Sequence, residues 1–342
     1  MGGMMTGKEI ARLAFELKPA PRVPVTIIGG GAWAVQRAGK TFAQIKNDAA
    51  QIADVFIQYY RQFGNDLIWT GSNFLNYPIH LLGCPLKDDS SDYPALGGSV
   101  IKSLDELNTL SIAKVVSHST MQAILRSHHR IADAIGKETF LIPTNWAPFT
   151  LAARILGVEN TMMATISEPD RLRKLIQFAA DLLWALIEPV LGHEDIPGIN
   201  LSDPVASGDL ISPATFRNFA APALKDFVRR IKGKKKYAML HICGNTSKIL
   251  PDVLDIGPHC FSLENKVPLQ TAQEILGGKV CVAGNVSPTG AFLSGKPEEV
   301  LAEARACVEV WGQDPGYILT VGCDFAKDVP LENMMALMSL KK

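Results

Sequence analysis

The chain has no surplus charge of either sign. Its 34 Lys and Arg balance 34 Asp and Glu, for a formal net charge of +0. A nucleic-acid binder carries a basic excess, so this balance argues against that class. The one dense cationic run is Lys232-Gly233-Lys234-Lys235-Lys236, which reads as a solvated loop rather than a phosphate site. Cysteine is sparse. The six at positions 84, 243, 260, 281, 307 and 323 lack the close spacing of a disulfide scaffold, so a reduced, cytoplasmic setting is expected. No apolar run reaches the ~18 residues of a membrane span. The first residues, Met1-Gly2-Gly3-Met4-Met5, pass into a charged amphipathic stretch and lack a signal-peptide pattern. A phosphate-type glycine loop is missing too. Gly29-Gly30-Gly31 runs into Ala32-Trp33-Ala34, without the G-x-G-x-x-G spacing, and reads as a tight turn.

Hydrophobic residues make up 47% of 342, enough for a large core. Thr6-Gly7-Lys8-Glu9 is a capping box, and the helix behind it should run to about Leu17. From there a pattern repeats: a short β-rich run, a Gly/Pro/Asn/Asp loop, a longer helical stretch. The predicted strands are Val23–Ile28, Leu67–Thr70, Thr139–Ile142, Gly198–Leu201, Tyr237–Leu240, Cys260–Leu263, Val280–Ala283 and Tyr317–Val321. The clearest predicted helices are Phe42–Phe63, Met121–Ile135, Glu168–Leu191, Pro213–Ile231 and Glu298–Trp311. Eight strands alternating with helices predict an α/β chain built as a (β/α)8 barrel. It is expected to be one domain over residues 1–342, with residues 1–22 as an N-terminal helical extension. A long loop or insertion follows the second strand, from about Gly83 to Leu110, and reads as a surface excursion beside the active end.

The chemistry concentrates at strand ends. The run Tyr237-Ala238-Met239-Leu240 leads into His241-Ile242-Cys243-Gly244-Asn245. Residues i and i+2 of a strand face the same way, so an imidazole and a thiol project together, as half of a metal site. A second apolar run, Tyr317–Val321, ends in Gly322-Cys323-Asp324 and offers a further thiol. Asn73, Trp146, Asp203, Glu264 and Asn285 fall at the same phase of their repeats. In a (β/α)8 barrel such positions share one rim, where active sites are built. Cys260 and Cys281 come early in their strands, far from that rim, and read as structural, as do His259 and Cys307.

Several of these stretches resemble the uroporphyrinogen decarboxylase superfamily. They are Leu240 to Asn245, Trp146 to Leu151, Ala206 to Ser212, Gly284 to Pro288 and Gly322-Cys323-Asp324. The nearer resemblance is to its zinc-dependent corrinoid methyltransferase branch, typified by the methylcobamide:coenzyme M methyltransferases. It covers nearly the whole chain and implies His241, Cys243 and Cys323 as zinc ligands. It also implies a corrinoid carried by a partner protein, since no Asp-x-His-x-x-Gly cobalamin signature occurs here. The implied reaction moves a methyl group between that corrinoid and a thiol, or accepts one from an O-, N- or S-methyl donor. Zinc in such a site deprotonates a thiol at neutral pH or steadies a departing thiolate. Glu264 is then expected as a fourth ligand or proton acceptor, or else as a rim salt bridge to Lys266. Asp324 would steady His241 or the Cys323 loop. Asn73, Trp146, Asp203 and Asn285 would face substrate.

The alternative within the superfamily is metal-free decarboxylation of a porphyrinogen. Arg37, in Gln36-Arg37-Ala38-Gly39-Lys40, half-echoes the arginine motif of those enzymes. Against it, the run Asp66-Leu67-Ile68-Trp69-Thr70-Gly71-Ser72-Asn73 has a non-ionisable Asn73 where a decarboxylase has a catalytic aspartate. A third class is a non-catalytic barrel that sequesters a metal or corrinoid.

Overall fold

The computed structural model describes residues 5–312 and 314–341. Seven parallel strands form one sheet: β1 Leu67–Thr70, β2 Phe140–Trp146, β3 Gly198–Ser202, β4 Tyr237–Ile242, β5 Cys260–Leu263, β6 Cys281–Val286 and β7 Tyr317–Val321. Their order in space is their order in sequence. β1, β3, β5, β6 and β7 are buried along their whole length, as parallel strands covered on both faces must be. Helices supply the outer cover; Pro297–Trp311, for example, packs on β6 and β7.

The predicted first strand, Val23–Ile28, differs from expectation. It forms a single bridge, Val25 to Leu319, rather than a strand. Pro24 has no N–H to give a ladder, and side chains take up the neighbouring amides. Val25 N–H donates to Asp66 at 2.9 Å, Ile27 N–H to Asn65 at 2.9 Å and Ile28 N–H to Thr320 at 3.2 Å. The segment nonetheless touches both edges of the sheet. Thr26 N–H donates to the Leu319 carbonyl on β7, and Asp66 N–H, beside β1, donates to the Val25 carbonyl. Arg22 fixes its start by a two-pronged pair with the fully buried Asp66, at 2.6 and 2.9 Å.

The helix Gly7–Phe15 has the predicted capping box on Thr6 and Glu9. Two long predicted helices are broken. Phe42–Phe63 divides into Phe42–Ile45 and Ala49–Phe63, because Asp48 turns outward and accepts from Ala50 and Gln51 N–H as a new N-cap. The stretch from Pro213 widens into a π turn over Phe216–Ala220 before Ala221–Gly233 continues. The excursion after β1 carries a two-stranded antiparallel ribbon, Leu86–Lys87 with Ala95–Leu96. It is tied down, not loose: Asp88 takes bonds from Lys46 at 2.7 Å and Tyr77 at 2.8 Å. In the lysine run, Lys234 pairs with Glu188, and Lys236 donates to the carbonyls of His193 and Ile196.

Candidate metal centre

The register of the sheet sets up the site. Ser202, His241 and Ser262 lie abreast on β3, β4 and β5 at their carboxyl ends. His241 is buried, with 3% of its surface exposed. Its ring packs edge-on against Trp69 of β1, centroids 5.4 Å apart. Two residues on, Cys243 shares its face, and the Cys323 loop brings a second thiol from the end of β7. The three ligand atoms all lie within 4.8 Å of one another, the one such group of His, Cys, Asp and Glu among the described residues.

The pairwise distances test whether an ion fits. His241 Nε2 is 3.1 Å from Cys243 Sγ and 3.6 Å from Cys323 Sγ, and the two sulfurs are 3.4 Å apart. A tetrahedral zinc with bonds of about 2.0–2.3 Å would hold N and S about 3.6 Å apart and two sulfurs about 3.8 Å apart. A few tenths of an ångström of opening would seat the ion. Ser262 Oγ lies 3.1 Å from the other ring nitrogen, Nδ1. With Nδ1–H donating there, Nε2 keeps its lone pair for a metal. The adjacent Cys243 thiol, and then burial, hold the Cys323 thiol well above its ordinary range. A cation held between the two thiols would offset that effect.

The remaining predicted residues are placed as follows. Glu264 accepts a hydrogen bond from Gly244 N–H, the residue after Cys243. Lys266 pairs instead with Asp209 at 2.8 Å. The Asp324 carboxylate accepts from Gly30 N–H at 2.7 Å and Phe325 N–H at 2.9 Å, so it ties its own loop to the glycine turn. Gly29 explains part of that turn. Its φ of +78° suits glycine, and a Cβ there would come within 2.2 Å of the Asp324 carboxylate. Asn73 is buried against the same turn. Asn285 donates to the carbonyls of Val267 at 2.9 Å and Glu264 at 3.3 Å, and so braces the Glu264 loop. Asp203 is fully buried. It accepts from Thr150 N–H at 2.9 Å and Thr150 O–H at 2.6 Å, and burial pushes its carboxyl up to about 7. Trp146 is half-buried at the rim, where its Nε1–H donates to Asn76 at 2.9 Å. Arg37 is exposed and lies over the Trp33 ring, in a groove with Val55, Gln58 and Gln62 of the helix Ala49–Phe63.

Ser262 escaped the sequence reading. Its signal was the alternation along β5, where Cys260, Ser262 and Glu264 fall on one face.

Comparison with known proteins adds the lineage. The chain is similar to the methylated-thiol–coenzyme M methyltransferase of Methanosarcina mazei, 29% identical over 77% of this chain and 68% of that protein. It is 27% identical to the methylcobamide:CoM methyltransferase MtaA of Methanosarcina barkeri, covering 96% of this chain and 95% of the other. A solved methyltransferase from Methanosarcina mazei shares the fold, with a TM-score of 0.88 over 99% of this chain and 98% of that one, at 24% identity. The family model for uroporphyrinogen decarboxylase (URO-D) matches residues 6–342, and the chain belongs to that family.

Proposed function

We propose that this protein is a zinc-dependent methyltransferase, moving a methyl group between a corrinoid carried on a partner protein and a heteroatom of a small substrate. The observation that carries the reading is the convergence of His241 Nε2, Cys243 Sγ and Cys323 Sγ within 4.8 Å. Two thiolates and one imidazole leave a fourth tetrahedral position open, the pattern of a catalytic rather than a structural zinc. The relatives named as methylcobamide:CoM methyltransferases support it. They align over nearly the full chain at 27% identity, against 22% for a full-length uroporphyrinogen decarboxylase of Magnetococcus marinus.

When bound, zinc would hold a substrate thiol as thiolate at neutral pH and stabilise a thiolate that departs in the reverse sense. The chain's own groups do the rest. His241, Cys243 and Cys323 hold the ion. Ser262 orients the imidazole. Glu264, fixed by Gly244 N–H, presents a carboxylate at the rim to accept the thiol proton. Asp324 and Asn285 fix the two loops that carry Cys323 and Glu264. Asn73, Trp146 and Asp203 shape the wall that faces substrate. The segment through Val25 takes the eighth position of a (β/α)8 barrel, and the whole chain acts as one cytoplasmic domain.

The decarboxylase alternative is weaker on two observations. Asn73 cannot ionise, and Arg37 lies exposed on Trp33 rather than beside the thiols. The deciding experiment measures bound zinc together with methyl transfer from methylcobalamin to a thiol. We expect one equivalent of zinc, and loss of both properties in Cys323→Ser. Porphyrinogen decarboxylation that survives chelation and Cys323→Ser would overturn the proposal.

A further inference from the structure

Four of the six cysteines are closed to solution. Cys84 donates its S–H to the Gly98 carbonyl at 3.1 Å, Cys307 lies 3.6 Å from the Asn285 side-chain oxygen, and Cys260 and Cys281 are fully buried on β5 and β6. Cys243 and Cys323 alone are partly exposed. Their sulfurs are 3.4 Å apart, although 80 residues separate them in sequence. A covalent S–S bond is about 2.05 Å long, so closing the pair asks for roughly 1.4 Å, shared between two side chains. Both residues lie past the ends of their strands, β4 at Ile242 and β7 at Val321, so neither belongs to the ladder.

The same two sulfurs are the thiol ligands of the candidate metal centre. An ion between them needs them about 3.8 Å apart, and a bond between them needs about 2.05 Å. The observed separation stands between the two, and each state forbids the other. Thiolate lone pairs held by a metal are not free to attack, and sulfurs joined to each other are neutral and no longer ligands. Only His241 of the three would then remain, and one imidazole does not hold zinc.

We propose that Cys243 and Cys323 are a covalent modification site, a dithiol pair that a hydroperoxide oxidises to a disulfide, with release of the metal. This rests on the metal reading of the site and not on the identity of the methyl donor or acceptor. One sulfur attacks a peroxide oxygen. An S–O bond forms, the O–O bond breaks, and the leaving oxygen departs with the thiol proton as water or an alcohol. The second sulfur then attacks the sulfenic sulfur. The S–S bond forms, the S–O bond breaks, and the remaining oxygen leaves with the second proton as water. The two sulfurs lose two electrons and the peroxide gains them. A small thiol reverses the step by exchange, and the ligand set returns. Cys260 and Cys281 pair across adjacent strands as well, but burial keeps a dissolved peroxide from them.

The test treats zinc-loaded and chelated protein with hydrogen peroxide. It follows the thiol count, bound zinc and a peptide map made without reductant. We expect loss of two thiols, a Cys243–Cys323 cross-link and release of the zinc equivalent. Chelated protein should react at least about tenfold faster than zinc-loaded protein, because the free thiolate is the nucleophile. Dithiothreitol should restore both the thiols and zinc binding. Cys323→Ser should stop at a sulfenic acid on Cys243, trapped by dimedone, while Cys260→Ser should leave the cross-link unchanged. Thiols that survive peroxide, sulfinic acids in place of the cross-link, or a cross-link that leaves the zinc in place would overturn the proposal. The metal reading stands or falls separately. Zinc bound by a protein that never cross-links sinks the modification site alone. A cross-link in a protein that never binds zinc keeps the reactive pair and sinks the metal reading.

Discussion

The curled sheet holds two sets of one histidine and two cysteines, the first at the carboxyl ends of β4 and β7 and the second at the amino ends of β5 and β6. At the rim are His241, Cys243 and Cys323. At the foot are His259, Cys260 and Cys281. The residue inventory is identical, yet only the rim set brings its ligand atoms within 4.8 Å among the described residues. Strand parity makes the difference. His241 and Cys243 are two apart and share a face; His259 and Cys260 are adjacent and face opposite ways. Cys260 and Cys281 do meet, as register partners on β5 and β6, but both are fully buried. Burial, then the neighbouring Cys281 thiol, push Cys260 well above the usual thiol range. His259 turns to the other side, stacking edge-on with Tyr237 at 5.0 Å, and its Nδ1 already accepts from Ala238 N–H at 3.0 Å. A ring nitrogen spent on the backbone and thiols without a nearby imidazole make packing, not a ligand set.

The most severe challenge to this contrast is to remove one thiol from each set. Cys243→Ser or His241→Ala should abolish zinc binding and lower methyl transfer by about 10³-fold or more, on the scale of losing an essential metal. Cys260→Ser should keep its zinc equivalent and lose stability alone, by about 1–3 kcal/mol, for an uncompensated buried hydroxyl. Elemental analysis and urea unfolding check both; a folded Cys260→Ser protein without zinc would erase the distinction.

Alkylation comes next. In chelated protein Cys243 and Cys323, both partly exposed, should react with iodoacetamide on the order of 10²-fold faster than Cys260 and Cys281. Peptide mapping over time would show the order. A smaller effect isolates the imidazole. Ser262→Ala should weaken zinc by about 10–100-fold, the usual cost of losing an outer hydrogen bond to a ligand histidine. A chelator competition titration measures it.

The smallest effect belongs to the foot. Burial lowers His259 from the ordinary histidine value of 6.5 to about 4. Above 6.5 the ring is neutral in folded and unfolded chains, and the group contributes nothing to pH dependence. As pH falls below 6.5 the unfolded chain takes a proton that the folded one refuses, so stability drops, with the loss complete near pH 4. Partial exposure of the ring screens the effect. His259→Gln should flatten this part of a urea-midpoint profile between pH 7 and 4.5, and an unchanged slope would place the titration elsewhere.

Eight β-rich runs were legible, because buried parallel strands are largely apolar. Seven formed strands, and Val23–Ile28 formed only a bridge. Val25 bridges to Leu319 only because Asn65, Asp66 and Thr320, far away in sequence, absorb the amides around it. The break at Asp48 was readable as an N-cap residue, but the apolar spacing on both sides hid it.

Local pattern sufficed for the alternation of strands and helices, the placing of polar residues at strand ends, and the pairing of His241 with Cys243, because each follows from periodicities of two and 3.6 residues. Folding alone decided that Cys323 should complete the trio, that Ser262 should face the imidazole, and that Glu264 and Asp324 should bind backbone amides rather than Lys266 or His241. All of those partners but the neighbouring Phe325 amide lie 20 to 294 residues apart, and no local periodicity reports distances across a curled sheet.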